Sequence, residues 1–196
     1  MEENFDALEV IAQTRGKVTM DAAPGRDRIF LIWGWPGVVF FALMFVFWQW
    51  LHQLWCLFLW VGIPLVSVPL MMRAIKQDRA RTHIRTLDSK LVMDYWMFMG
   101  VVCCVGGFVF GFAHLGFVCF YPLIGMLMGI GGFLTGEVVR FRPMIVGGLA
   151  GAVVGIGAFL LQGPLAGWQL LCVSLSALVS LVIPGYYYAN RYPDGI

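Results

Sequence analysis

The chain has 196 residues, of which 60% are hydrophobic and only 12% charged, where soluble domains run at roughly 45–50% apolar and about 25% charged. Long stretches without any charge cannot form a water-facing surface, so lipid has to replace water around them. A net charge of +2, with no Lys/Arg run interleaved with aromatics, excludes the single-strand nucleic-acid binders, which need a basic groove and stacking platforms.

The chain opens on an acidic, mixed stretch, Met1 to Arg28. Phe5, Leu8 and Ile11 or Ala12 recur there at near-helical spacing against Glu2, Glu3, Asp6 and Glu9, which predicts a short amphipathic helix. It is more acidic than the Lys/Arg-rich kind that adheres to anionic lipid, so docking under the bundle or onto a partner stands beside lying on the membrane. The stretch from Asp21 to Asp27, with Ala22-Ala23-Pro24-Gly25, reads as a hinge. A signal peptide would instead begin with a short basic start and an early apolar region. The first apolar run is therefore expected to stay as an anchor.

About 20 apolar residues cross a ~30 Å hydrocarbon core as a helix, because lipid forces every backbone polar group to pair internally. Six runs meet this test: 29–50, 54–72, 91–112, 117–134, 144–161 and 168–188. The expectation is an all-α membrane protein with a six-helix bundle over 29–188 and a short tail, 189–196. Cations are retained on the cytoplasmic side, and all 13 fall on one side of this scheme. Arg15, Lys17, Arg26 and Arg28 precede the first run, six lie in the 73–90 loop, Arg140 and Arg142 follow the fourth run, and Arg191 follows the last. The links around His52, around His114 and from Gln162 to Gly167 carry no charged residue. They read as the outer turns of three helical hairpins, with both termini cytoplasmic. Aromatic belts agree with this: Trp48, Trp50, Trp55 and Trp168 mark the outer side, and Trp33, Trp35, Trp96 and Tyr186 to Tyr188 the inner. Trp60 sits deeper, facing a neighbouring helix or lipid. The 73–90 loop is expected to extend the second or third helix beyond the bilayer.

Membrane-embedded enzymes and proton-coupled pumps need ionisable groups at depth, and Asp94 is the sole carboxylate within a predicted run. It lies in the first turn of its helix, where the dipole favours it; the rival reading is a ligand- or ion-coupling residue, with Arg85 and Lys90 as neighbours. Cys56, Cys103, Cys104, Cys119 and Cys172 all fall in apolar runs without metal or redox spacing, and the three histidines do not converge. Ser174, Ser176 and Ser180 lack the histidine at depth that a nucleophilic serine requires. No cofactor, metal or nucleotide motif is present, and the expectation is a non-enzymatic protein.

Glycines recur four residues apart: Gly107 and Gly111 in the third run, Gly125 and Gly129, then Gly132 and Gly136, in the fourth, and Gly147, Gly151 and Gly155 in the fifth. Such faces let backbones approach closely. They predict tight packing among the third, fourth and fifth helices, a dimer seam, or a ligand groove. Proline breaks a helical hydrogen bond and can expose carbonyls to a ligand, and the segment Pro64-Leu65-Val66-Ser67-Val68-Pro69 is the candidate for that role.

Leu31-Ile32-Trp33-Gly34-Trp35, preceded by Ala7 to Ile11 and a basic turn, and the late Ile183-Pro184-Gly185-Tyr186 resemble a family of small uncharacterised multi-helix membrane proteins of Bacteroidota with an N-terminal helix and an "LLWGW"-like first span. The resemblance implies a bacterial inner membrane and carries over no functional residue. Two functions fit the sequence. One is cytoplasmic partner binding through the N-terminal helix and the 73–90 loop, with the bundle as anchor or sensor. The other is a carrier, or its substrate-binding subunit, for a small weakly polar molecule held in a cavity. Lipid is the expected surrounding in both, with a second copy of the chain as a further candidate partner.

Overall fold

The computed structural model describes residues 26–51, 54–79, 87–112 and 119–191. Nearly all of these are helical, and no strand occurs among them. The expected N-terminal helix, His52, His83, His114 and the end of the tail lie outside the described residues.

Helix α1 is Arg26–Leu51. A 3-10 stretch, Leu54–Val61, leads into α2, Gly62–Arg79. Next come α3, Leu87–Phe112, and α4, Tyr121–Val139. Helix α5, Arg142–Gly157, closes in a 3-10 turn. Helix α6, Trp168–Ala177, passes through a π-helical segment, Leu178–Val182, into α7, Ile183–Arg191. Four helices are long and apolar enough to cross a membrane: Phe30–Leu51, Tyr121–Val139, Arg142–Leu160 and Trp168–Arg191. The second and third expected spans appear among the described residues as shorter apolar helices, Phe58–Arg73 and Asp94–Phe110.

The prolines account for most boundaries that differ from the sequence reading. Pro64 falls in the first turn of α2, where its missing N–H is not needed, so the α-helix starts eight residues into the expected second span. Pro122 stands in the first turn of α4, which follows a π-helical step at Cys119 and Phe120; the expected start at 117 lies outside the described residues. That helix ends at Val139, because Arg140 adopts the left-handed conformation (φ 54°) and the Phe141 N–H reaches back to the Gly136 carbonyl at 2.9 Å, a Schellman closure. Pro143 then starts α5. The α4–α5 turn is thus two residues long, which forces the helices antiparallel and adjacent.

Between them runs a contact nearly free of side chains. A Cβ at Gly129 would overlap the backbone of Ala152, one at Gly148 the backbone of Phe133, and one at Gly155 the backbone of Met126. Gly125 faces Gly155, and Gly132 faces Gly148. The glycines of α5 divide over two faces: Gly148 and Gly155 meet α4, while Gly147 meets Val179 and Pro184, and Gly151 meets Ser176 and Ser180. The close-packed unit is therefore α4, α5 and the Trp168–Arg191 helix, whereas α3 was the expected third member. Ser176 Oγ lies 2.8 Å from the Gly125 carbonyl and 3.0 Å from that of Gly151, so one hydroxyl serves all three helices. Helix α1 leans on the same unit, with the Ser174 hydroxyl donating to the Val38 carbonyl at 2.9 Å and with Gly34 against Leu181 and Val182.

Gly129→Ala is expected to destabilise the protein in detergent by about 2 kcal/mol or more, because backbone must move to admit the methyl. Gly157→Ala, where a Cβ would meet nothing within 4 Å, should leave the unfolding midpoint unchanged. Matching midpoints for the two variants would show that the α4–α5 contact is loose.

Candidate functional site

Helix α3 approaches α4 through rings instead of backbone. Tyr95 and Trp96 lie over Gly131, where a Cβ would fall 2.6 Å from the tyrosine ring, and Phe120 covers Gly106. These spacers hold α3 away from the rest of the bundle, and a cavity of about 90 Å³ remains between α1, α2, α3 and α4. Its walls are aromatic and aliphatic: Trp33 and Phe41 from α1, Trp60 and Pro64 from the second span, Trp96, Met99, Gly100 and Cys103 from α3, and Tyr121 and Met128 from α4.

Two of the indoles on this wall have their N–H groups engaged elsewhere. Trp33 Nε1–H donates to Met71 Sδ at 3.1 Å, and Trp96 Nε1–H to Thr135 Oγ1 at 3.2 Å. Thr135 in turn donates to the Gly131 carbonyl at 2.6 Å. Neighbouring Tyr95 donates to the Leu127 carbonyl at 2.6 Å. What the two indoles offer the cavity is their π faces. Trp60 is buried, sits against Gly107 and meets Phe108 edge-on at 5.5 Å, which fixes the back wall. At Gly100 a Cβ would meet nothing within 4 Å, so spare room adjoins the α3 backbone. The volume is below the ~150 Å³ of an apolar cavity that stays dry and takes benzene, and far below the roughly 300 Å³ where drug-sized sites begin. It suits the end of a hydrocarbon chain.

Of the sequence candidates, Pro64 stands at this wall. Ser67 is fully buried but turned to α1, where its hydroxyl donates to the Ile32 carbonyl at 3.0 Å. Ile32 is the residue whose helical partner would be the N–H that Pro36 lacks. Ser67 is thus a structural donor standing in for that missing bond. Pro69 is exposed and outside the cavity. Asp94 is also exposed and forms no ion pair among the described residues. Gly107 supports Trp60; Gly125, Gly129, Gly147, Gly151 and Gly155 belong to the packed unit; the surroundings of Gly111 fall outside what is described. Among the described residues no group of three or more His, Cys, Asp and Glu could hold a metal ion.

Trp33 and Trp96, expected to mark the inner side, both line this cavity. The signal was present on α3: Trp96, Gly100, Cys103 and Gly107 recur at spacings of four, three and four, one face of a helix. In a helix apolar all round, nothing marks that face as the inner one. The chain matches no family model, no curated protein and no solved structure.

Ser67→Ala should cost about 1–3 kcal/mol, since it leaves a buried carbonyl unpaired. In a Pro36→Ala background, where the helical N–H is restored, the same change should cost about 1 kcal/mol less. A double-mutant cycle by thermal unfolding reads the difference, and additive costs would show that Ser67 does not compensate for Pro36.

Proposed function

We propose that the chain is a six-span, non-enzymatic protein of a bacterial inner membrane, with both termini cytoplasmic, that binds the end of an apolar molecule in the cavity between α3 and the rest of the bundle. The observation carrying this reading is a cavity walled by aromatic and aliphatic groups, with the indole N–H donors of Trp33 and Trp96 turned to partners outside it. This is the carrier reading with one change. The occupant is apolar rather than weakly polar, because the wall is almost wholly aromatic and aliphatic. Its source is the bilayer, from which an acyl or isoprenoid-like chain would enter sideways past the ring-spaced edge of α3.

Geometry supports counting the second span. Eight residues of 3-10 helix rise about 16 Å, and the eleven α-helical positions from Gly62 to Met72 add about 16 Å. Together they match a ~30 Å core. The orientation rests on where cations gather. Arg140 lies in the α4–α5 turn and Arg142 directly after it, and Tyr188 of α7 packs edge-on against Phe141 of that turn at 5.2 Å, which brings Arg191 to the same end. Gly185 adjoins Phe30 and Leu31, and Trp33 bonds Met71, so Arg73 and Lys76 gather there too. All five are exposed. The same cationic end is what favours the second reading, docking of a cytoplasmic protein partner.

The test is photolabelling in vesicles with a fatty acid carrying a diazirine near its chain end. Parent protein should be labelled at Met99, Cys103 or Met128, and Gly100→Phe, which fills the spare room, should lose that labelling while keeping its unfolding midpoint. Labelling confined to outward residues such as Val101 and Val105, equal in both proteins, would remove the cavity from the function and leave partner binding.

A further inference from the structure

A second recess lies on the outer side of α1 and α2, separate from the aromatic-lined cavity. It is an open groove of about 580 Å³, walled by Leu31, Trp35 and Val39 of α1 and by Val66 and Leu70 of α2. Two bonds fix the distance between its walls: Ser67 to the Ile32 carbonyl and Trp33 to Met71. Gly62 lies against Phe40 while Ser67 bonds Ile32, so the two helices run antiparallel. The groove therefore follows the helix axes for about 12 Å, the rise from Leu31 to Val39.

Its end is what distinguishes it from ordinary lipid-facing surface. Val66, Leu70 and Arg73 are spaced four and three apart, so they share one face of α2, and the apolar wall continues directly into an exposed guanidinium. On the other wall the Trp35 indole donates to the Tyr186 hydroxyl at 3.2 Å and meets that ring edge-on at 6.5 Å. This pair stands part-way along the groove, opposite the stretch of α2 between Gly62 and Ser67. No carboxylate lines the groove among the described residues.

We propose that this groove binds one acyl chain of an anionic phospholipid of the cytoplasmic leaflet, with the lipid phosphate on Arg73. A guanidinium grips phosphate through two parallel N–H donors, and the apolar walls hold the chain below it. The site rests on the bilayer-embedded reading but not on the inner cavity.

The experiment measures thermal unfolding of the full chain in detergent, titrated with phosphatidylglycerol or with phosphatidylcholine of identical chains. Phosphatidylglycerol should raise the midpoint by several degrees more than phosphatidylcholine, as ligand linkage requires. Arg73→Gln and the groove-filling Leu70→Trp should each abolish the difference, whereas Arg142→Gln, a cation at the same end but outside the groove, should keep it. Equal shifts from both lipids in the parent, or a phosphatidylglycerol preference that survives Arg73→Gln, would overturn the proposal. Should Arg73→Gln not fold, native mass spectrometry of parent and Leu70→Trp decides, since the parent alone should retain phosphatidylglycerol. A groove that instead holds a second copy of the chain would show as a lipid-independent dimer lost in Leu70→Trp, which also overturns it.

Discussion

The missing side chains between α4 and α5 are the constraint from which most of this molecule follows. Within lipid there is no hydrophobic drive for one helix to leave hydrocarbon for another, so association depends on dispersion at close range and on hydrogen bonds. Glycines at 125, 129, 132, 148 and 155 supply the close range. The hydrogen bonds depend on it in turn, because a single hydroxyl can reach carbonyls of two other helices only if those helices nearly touch. Ser176, between Gly125 and Gly151, is the outcome. Bulkier residues at those glycines would separate the carbonyls before they weakened any ring contact.

Two prolines at depth are accommodated by opposite means. At Pro36 the carbonyl left without its helical donor, that of Ile32, gains the Ser67 hydroxyl from α2. At Pro184 the corresponding carbonyl is that of Ser180. The helix widens just before it, with the Ile183 N–H reaching back five residues to Leu178. The Val179 carbonyl then lies where a Cβ at Gly147 would overlap it, and the Ser180 carbonyl lies 3.0 Å from where one at Gly132 would stand. Weak Cα–H···O contacts of the sheet-edge and helix-interface type are available there. One proline is thus compensated by a side-chain donor, and the other by a distortion fitted to a neighbour's glycines.

Much of this was legible in the residues. Apolar length and the absence of charge identify the helical, membrane-like architecture, and the glycine repeats of α4 and α5 identify the surfaces of closest approach. What was not legible is which way each repeat points. Gly147, Gly151 and Gly155 look like one stripe, yet Gly155 serves α4 while Gly147 and Gly151 serve the Trp168–Arg191 helix. A helix apolar on every side carries no moment to separate those faces. Ser67 likewise seemed a binding residue because it lies between two prolines. Its bond is to the helix opposite, a partnership set by three-dimensional register rather than by spacing along the chain. The cavity was illegible for a related reason. It exists because rings of Tyr95, Trp96 and Phe120 are laid over glycines, and whether a ring fills a gap or props one open depends on the neighbour it meets.

Helix α1 has a consequence for how the chain is assembled. Its tie to α2, through Ser67, spans 35 residues, but its ties to the last helix, Ser174 to Val38 and Trp35 to Tyr186, span 136 and 151. During synthesis the earliest-made of the described helices can pair with the second at once. It must then wait, its glycines at 34 and 37 uncovered, until nearly everything else has emerged. The inserting chain passes through a stage in which a two-helix hairpin is complete and its final docking surface does not yet exist. Factors that shelter half-made membrane proteins would meet this one chiefly through the face of α1 that the finished molecule hides.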